Sequence, residues 1–213
     1  MTQTNVAPPS SAAKTKETVA FYLDPACPWC WRTSMWIREV QKVRPVEVNW
    51  KLFSLEEVNK GEKTVDWENG RSAPALRVLA LVRRKHGNEA VDKVYHAMGQ
   101  ARFVNQLQYV DEGVVEDALE TAGLDRGLKA EALADPSTQE EVLGEHKEIV
   151  ERLGGFGVPT IVLDDNTGPG MFGPVINDIP EGEDAGEMWD HFLWFTRKTN
   201  FYEMKRSRPP ARH

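Results

Sequence analysis

Thr18-Val19-Ala20-Phe21-Tyr22-Leu23-Asp24-Pro25-Ala26-Cys27-Pro28-Trp29-Cys30 is the stretch from which the rest of the chain is read. Its first six residues are β-branched, aromatic or aliphatic and almost continuously apolar, the pattern of a strand buried on both faces. Asp24-Pro25 breaks the run. From Pro28 the pattern turns helical, with Thr33, Trp36, Ile37 and Val40 on one face. Pro28 suits a first helical turn, where its missing N–H costs nothing. Cys27 therefore stands at the N-terminus of a predicted helix, where unpaired N–H groups and the macrodipole favour a thiolate. A thiolate attacks disulfides and other electrophiles. Cys30, one turn into the helix and more buried, is placed to resolve the mixed disulfide that results. The chain has 2 cysteines in all, and both are here.

Pro45 stops the helix, and Val46 to Phe53 then alternates, with Val46, Val48, Trp50 and Leu52 facing one way. Strand, helix and strand make a βαβ unit, with parallel strands and a right-handed crossover. Leu55 to Arg71 is polar and irregular and reads as a linker. Helical patterns follow over Pro74–His86, Glu89–Phe103 and Asp111–Ala122, the last opening on two acids. Another begins at Ser137, with Glu140 in capping-box spacing, and runs to about Leu153. Thr160-Ile161-Val162-Leu163, the turn cluster Asp164–Gly170 and Met171-Phe172 read as a hairpin. Glu183–Lys198 is an amphipathic helix carrying Trp189, Phe192, Leu193 and Thr196 on one side. The predicted organisation is a disordered leader over 1–17, one α/β unit split between 18–54 and 155–213, and a linker plus helical insertion over 55–154.

The 213 residues suit one sizeable domain with an insertion, and a formal net charge of −7 argues against nucleic acid as a partner. Lys205-Arg206-Ser207-Arg208 is a lone basic cluster, read as a solvated tail. No stretch is long or apolar enough to span a membrane. Residues 1–16 lack the apolar core of a secretory signal, so the expected location is the cytoplasm. In a reducing compartment a lone Cys-x-x-Cys is redox-active more often than structural. A zinc site is not expected, because His86, His96, His146, His191 and His213 fall in no ligand spacing.

The chain resembles the thioredoxin-fold superfamily, in its DsbA-like branch with a helical insertion. The resemblance rests on Asp24-Pro25-Ala26-Cys27-Pro28-Trp29-Cys30, on Gly157-Val158-Pro159-Thr160 before the third strand, and on the position of the helical block. It is closer still to the cytosolic, actinobacterial group of mycothiol-dependent nitroreductases. There the run through Trp31, the Phe172-Gly173-Pro174 exit and the segment Phe201-Tyr202-Glu203-Met204-Lys205-Arg206 look similar. The resemblance covers about residues 18 to 208 and implies a thioredoxin fold, βαβ followed by ββα. It also implies redox exchange with a small thiol and reduction of nitro-heterocycles and other electrophiles without a flavin. Related kappa-class glutathione transferases and chromene-carboxylate isomerases carry serine at the position of Cys27, so the two retained cysteines argue for dithiol chemistry. The resemblance makes Pro159 a cis-proline facing the dithiol and Val158 the residue whose backbone pairs with the bound thiol or substrate. Without it, Pro159 is a strand-opening proline.

Trp29 cannot supply the positive charge by which a histidine at this place stabilises a thiolate. The pair is therefore expected to be less oxidising than a DsbA pair carrying His. Trp29 and Trp31 flank the thiols and, with Pro28, are candidate contacts for substrate or thiol; an aromatic wall of Trp31, Trp36 and Trp50 is one reading, but Trp36 and Trp50 read as core. Gly168 to Gly173 matches GxGxxG literally but opens no helix after a strand and contains Pro169, so no dinucleotide is expected. Arg32 and His191 read as solvated helix positions. No bound cofactor is expected, with mycothiol or another small thiol as reducing co-substrate. Three functions stay open: a reductase of small electrophiles, a protein disulfide oxidoreductase or isomerase, and a non-catalytic redox-sensing adaptor. Either a monomer or a homodimer fits the sequence.

Overall fold

The computed structural model describes residues 16–207. Of the expected leader over 1–17, residues 1–15 lie outside the described residues, as do Arg208 and His213, whereas Glu17 is not leader but the first residue of a strand. Strand β1 (Glu17–Leu23) is the centre of the construction, and its Val19 to Leu23 are all enclosed. It pairs in parallel with β2 (Val46–Leu52), setting Phe21 beside Trp50 and Leu23 beside Leu52. On its other edge it pairs antiparallel with β3 (Thr160–Val162), and β3 pairs antiparallel with β4 (Gly170–Phe172). The sheet order is β2-β1-β3-β4. This is the thioredoxin-like α/β arrangement expected, with a central strand apolar on both faces and Val46, Val48, Trp50 and Leu52 buried along β2.

Helix α1 (Pro28–Val43) joins β1 to β2. Its Trp36 meets Trp189 and Phe192 of α8 (Gly182–Thr196), with ring centroids 5.8 and 6.2 Å apart. The Trp36 indole N–H donates to the Ala185 carbonyl. Arg44, at the end of α1, pairs with Glu183 and Asp190 on α8. Gly186 makes room for it, since a Cβ there would fall 2.6 Å from the guanidinium carbon.

The insertion between β2 and β3 departs from the sequence reading in five places. The expected linker contains a short helix, α2 (Leu55–Asn59), whose N-cap Ser54 accepts from the Glu57 N–H. Helix α3 (Ala73–His86) ends at Gly87 as predicted, but α4 (Asn88–Gly99) passes into a π-helical turn over Gln100–Val104. Helix α5 (Val114–Thr121) starts after Gly113, at φ 82°, so Asp111 and Glu112 lie in the preceding turn and Glu116 and Asp117 are its first-turn acids. Helix α6 (Leu128–Ala134) was not predicted. Helix α7 (Pro136–Leu153) is capped by Asp135, which accepts from the Ser137 N–H, rather than by a Ser137–Glu140 box. The insertion is anchored from within by Arg77. Its enclosed guanidinium reaches the carbonyls of Ala132, Leu133 and Asp135 at the end of α6, the Trp67 carbonyl and the Thr138 hydroxyl.

Helices α3, α4 and α7 pack on β2, and one apolar cluster runs from the sheet into the insertion and includes both cysteines. No helix among the described residues is long and apolar enough to cross a membrane.

Candidate active site

Cys27 is the N-cap of α1, in extended conformation, and its Sγ accepts from the Cys30 N–H at 3.3 Å. The turn is closed by Cys27 N–H to the Asp24 carbonyl and by Trp31 N–H to the Cys27 carbonyl. Across the gap, the Cys27 thiol donates to the Val158 carbonyl at 3.5 Å. The Val158–Pro159 peptide bond is cis. The Pro159 carbonyl accepts from Gly173 N–H, which binds this loop to the exit of β4. Thus β1, α1 and the β3 entry bring Cys27, Cys30, Val158 and Pro159 together. The Gly173–Pro174 bond is also cis, and Thr33 of α1 donates to the Pro174 carbonyl at 2.7 Å.

Both cysteines are free thiols, Cys27 3 % exposed and Cys30 0 %. Burial pushes the Cys30 thiol well up, and the hydrogen bond and charge of Cys27 push the same way. Cys30 therefore stays protonated until something removes its proton. The Asp24 carboxyl lies beneath the same turn, fully enclosed. Burial raises it from 3.8 to about 6 against the hydrogen bonds that favour its charge. Those bonds come from Leu55 N–H, Ala26 N–H and the Ser72 hydroxyl.

The insertion reaches the dithiol from the other side. Tyr109 donates to the carbonyls of Pro25 and Met98, tying the redox turn to α4. Tyr95 of α4 is enclosed, and burial pushes its hydroxyl well up, with Cys30 and Cys27 adding to the effect. Trp31 is 8 % exposed; it stacks on Phe103 of the π-helical turn and meets Tyr95 edge-on. Trp29 and Pro28 are half-buried. Trp36 and Trp50 are core, as read.

The remaining candidates go elsewhere. Arg32 donates to the Asn177 carbonyl at 2.5 Å, and His191 is exposed. Gly168 to Gly173 spans the hairpin turn and β4 and opens no helix, α8 beginning only at Gly182. Among the described residues no group of three His, Cys, Asp or Glu side chains is placed to hold a metal ion. Phe201 packs on Phe195, while Tyr202 and the basic tail residues Lys205 and Arg206 are exposed. Asp24, Tyr95 and Tyr109 were not singled out by sequence. Asp24-Pro25 read as a strand break and as part of the motif behind the resemblance, with no role for the carboxyl, and the tyrosines reach the dithiol through tertiary packing.

Similarity to known proteins agrees with this geometry. The solved structures of the cytosolic disulfide reductase DsbM from Pseudomonas aeruginosa and of the oxidoreductase DsbA from Xylella fastidiosa share the fold. The first has TM-score 0.59 and 15 % identity, covering 83 % of this chain and 98 % of that one. The second has TM-score 0.55 and 14 % identity, covering 84 % and 85 %. The uncharacterized protein Rv2286c of Mycobacterium tuberculosis (strain ATCC 25618 / H37Rv) is 36 % identical over 199 residues, 91 % of this chain and 84 % of that protein. A family model described as Rv2466c-like, mycothiol-dependent nitroreductase Rv2466c, matches residues 26–206. With both cysteines and the Val158–Pro159 loop inside that match, the chain belongs to the Rv2466c-like family of mycothiol-dependent nitroreductases.

Proposed function

We propose that the chain is a cytoplasmic thiol–disulfide oxidoreductase that passes two electrons from Cys27 and Cys30 to a small electrophile and is re-reduced by mycothiol. The observation that carries this reading is the placement of Cys27 Sγ at the N-cap of α1, bonded by the Cys30 N–H and facing the Val158 carbonyl beside Pro159. With a disulfide RS–SR, the Cys27 thiolate bonds to one sulfur and expels the other as a thiolate. Cys30 then attacks Cys27 Sγ, expels the second thiolate and leaves a Cys27–Cys30 disulfide. With a nitro group, the two thiols supply two electrons and two protons, giving a nitroso group, water and the same disulfide. Two mycothiol molecules restore the dithiol and leave as mycothiol disulfide. Pro28 and Trp29 on the redox helix and Val158 and Pro159 opposite are the proposed contacts for thiol and substrate. Trp31 holds the helix against the insertion behind them.

A second reading, exchange with polypeptide disulfides, is favoured by one feature. Phe156 is 68 % exposed and packs on the ring of Phe172, with centroids 4.9 Å apart, at the edge of the Val158 loop. The two readings separate in the Cys30→Ser variant, which lacks the resolving thiol and traps whatever Cys27 attacks. Intact mass is measured after exposure to mycothiol disulfide, glutathione disulfide and an oxidised protein. A fast, selective mycothiol adduct is the expected result. Preference for the protein disulfide transfers the function to polypeptide exchange, and no adduct at all refutes Cys27 as nucleophile.

A further inference from the structure

An exposed aromatic pair stands beside the loop that faces Cys27. Helix α7 stops at Gly154, in left-handed conformation at φ 60°, and Gly155 donates its N–H to the Ile149 carbonyl. Glycine suits this approach, because a Cβ at Gly155 would lie only 3.0 Å from that oxygen. On the other side of Phe156, the Gly157 carbonyl accepts from the Thr160 hydroxyl at 2.9 Å. The backbone that carries Phe156 is thus pinned before and after it, yet the side chain is held out in water. A lone exposed apolar residue is ordinary, but a contiguous exposed patch marks a contact site.

Phe156 belongs to such a patch. Its ring meets Phe172 of β4 at 4.9 Å, with the two planes 35° apart. Leu153, at the end of α7, lies over the same strand, since a Cβ at Gly170 would fall 2.4 Å from its Cδ1. Gly170 and Phe172 share one face of β4. Leu153, Phe156 and Phe172 are all exposed and form one apolar surface. That surface is continuous with the Val158 loop. A Cβ at Gly157 would lie 3.5 Å from Phe172 Cε2, so this ring touches the backbone one residue before Val158, whose carbonyl accepts from Cys27. Phe156 is two residues from Val158, at most about 7 Å along the chain, a span that one substituted aromatic ring covers. Main-chain pairing is poorly served here. The exit of β4 is Gly173, whose N–H is given to the Pro159 carbonyl, and then Pro174, which has no N–H. An added strand would find no donor at that exit. What the patch offers is ring surface, to which another ring packs in the offset or tilted manner of Phe156 on Phe172.

We propose that Phe156, backed by Phe172, is a specificity-determining contact that seats the aromatic ring of a small electrophile beside Cys27. The proposal rests on the reading of Cys27 as the attacking thiol. With a diaryl disulfide, the Cys27 thiolate bonds to one sulfur, the S–S bond breaks, and the other aryl sulfur leaves as a thiolate with the electron pair. The ring that stays bonded to Cys27 through its sulfur lies on Phe156 until Cys30 attacks Cys27 Sγ and expels it as the second thiolate. Phe156 touches the substrate ring and not the reacting sulfurs. It therefore selects among electrophiles and leaves the reactivity of Cys27 itself unchanged. An electrophile without a ring gains nothing from it.

The test is rapid mixing of the reduced protein with three disulfides: chromogenic dipyridyl disulfide, hydroxyethyl disulfide, which has no ring, and insulin. With the dipyridyl compound, the first thiolate released reports attack by Cys27 and the second reports resolution by Cys30. Attack on the other two is followed by intact mass of quenched samples. Each variant is compared with the unmodified protein on the same disulfide, so differences in leaving group cancel. Phe156→Ala is expected to slow attack on dipyridyl disulfide about three- to tenfold, the factor one aromatic contact supplies, and to leave attack on hydroxyethyl disulfide unchanged. Phe156→Tyr keeps the ring and keeps the dipyridyl rate. An unchanged dipyridyl rate in Phe156→Ala overturns the proposal. So does an equal loss on both small disulfides, which would make the effect one of loop geometry at Val158. A greater loss on insulin than on dipyridyl disulfide also overturns it and assigns the patch to polypeptides. Failure of the unmodified protein to release any thiolate refutes the reading of Cys27 itself.

Discussion

Gly99→Ala tests the joint between the redox helix and the insertion. Gly99 ends α4 directly against the indole of Trp31, the residue after Cys30. A Cβ at Gly99 would lie 2.1 Å from Trp31 Cε3, 2.3 Å from Cζ3 and 2.8 Å from Cδ2. Carbons in contact sit about 3.5 Å apart or more, so the ring must retreat by about 1.4 Å. It has little space to do so. Phe103 stacks behind it at 6.2 Å, Tyr95 meets it at 6.4 Å and His96 at 5.5 Å. Overfilling such packing costs about 1–3 kcal/mol, and the better helix propensity of alanine returns up to about 1 kcal/mol. The net expectation is a loss of about 1–2 kcal/mol, which for a chain of this length lowers Tm by about 2–8 °C. Urea unfolding followed by far-ultraviolet circular dichroism gives the first quantity and a thermal scan the second. Amide hydrogen exchange should place the loss in α4, the π-helical turn and the start of α1. A Gly99→Ala protein as stable as the parent, with unchanged exchange there, would refute the argument that Trp31 is immobilised by its neighbours.

Other consequences are open to measurement. Because burial holds the Asp24 carboxyl near 6 against 3.8, its contribution to stability is fully present below 3.8 and is lost as pH rises through 6. At about 1.4 kcal/mol per pH unit this is about 3 kcal/mol, and Asp24→Asn should abolish the slope; parallel pH profiles of unfolding free energy from pH 4 to 8 would count against it. Arg77→Met strips the guanidinium from the carbonyls at the end of α6 and should destabilise the chain by about 2–3 kcal/mol, with exchange rising first at α6 and the start of α7; equal stability would sink this account. With Trp29 between the thiols in place of a histidine, the reduction potential should lie well below the roughly −120 mV of DsbA, and redox titration against glutathione decides it.

What the sequence made legible, and what it did not, follows from where each signal resides. β1, α1 and β2 were readable because their determinants are local: a continuous apolar run, Pro28 at the first turn, and strict alternation from Val46 to Leu52. The dithiol was readable for the same reason. Helices α2 and α6 were not, since 5 and 7 residues are too few to display a period. Their stability comes from remote partners, Arg77 on the carbonyls of α6 and the Asp24 carboxylate on the Leu55 N–H of α2. The capping of α7 was misread because Ser137 and Glu140 have box spacing, while Pro136 at the first helical position leaves Asp135 as the cap. Asp24 illustrates the same limit within the site. An Asp-Pro pair after a strand signals a break, and nothing local shows that Leu55 and Ser72 will fold back onto its carboxylate.

The two steps of the chemistry are therefore exposed to different parts of the fold. Attack depends on Cys27, whose sulfur is set by the Cys30 N–H and the Val158 carbonyl, both supplied by the thioredoxin-like elements. Resolution depends on Cys30, whose neighbour Trp31 is held by Tyr95 and Phe103 of the insertion. Substitutions in the insertion, such as Gly99→Ala, should then act on resolution, while changes at Val158 should act on attack. Mixed-disulfide trapping gives attack rates for the Cys30→Ser background, and two-phase release gives both in the intact dithiol. If insertion variants slowed attack in the Cys30→Ser background as much as resolution in the dithiol, the division would be wrong and the insertion would be acting on Cys27 itself.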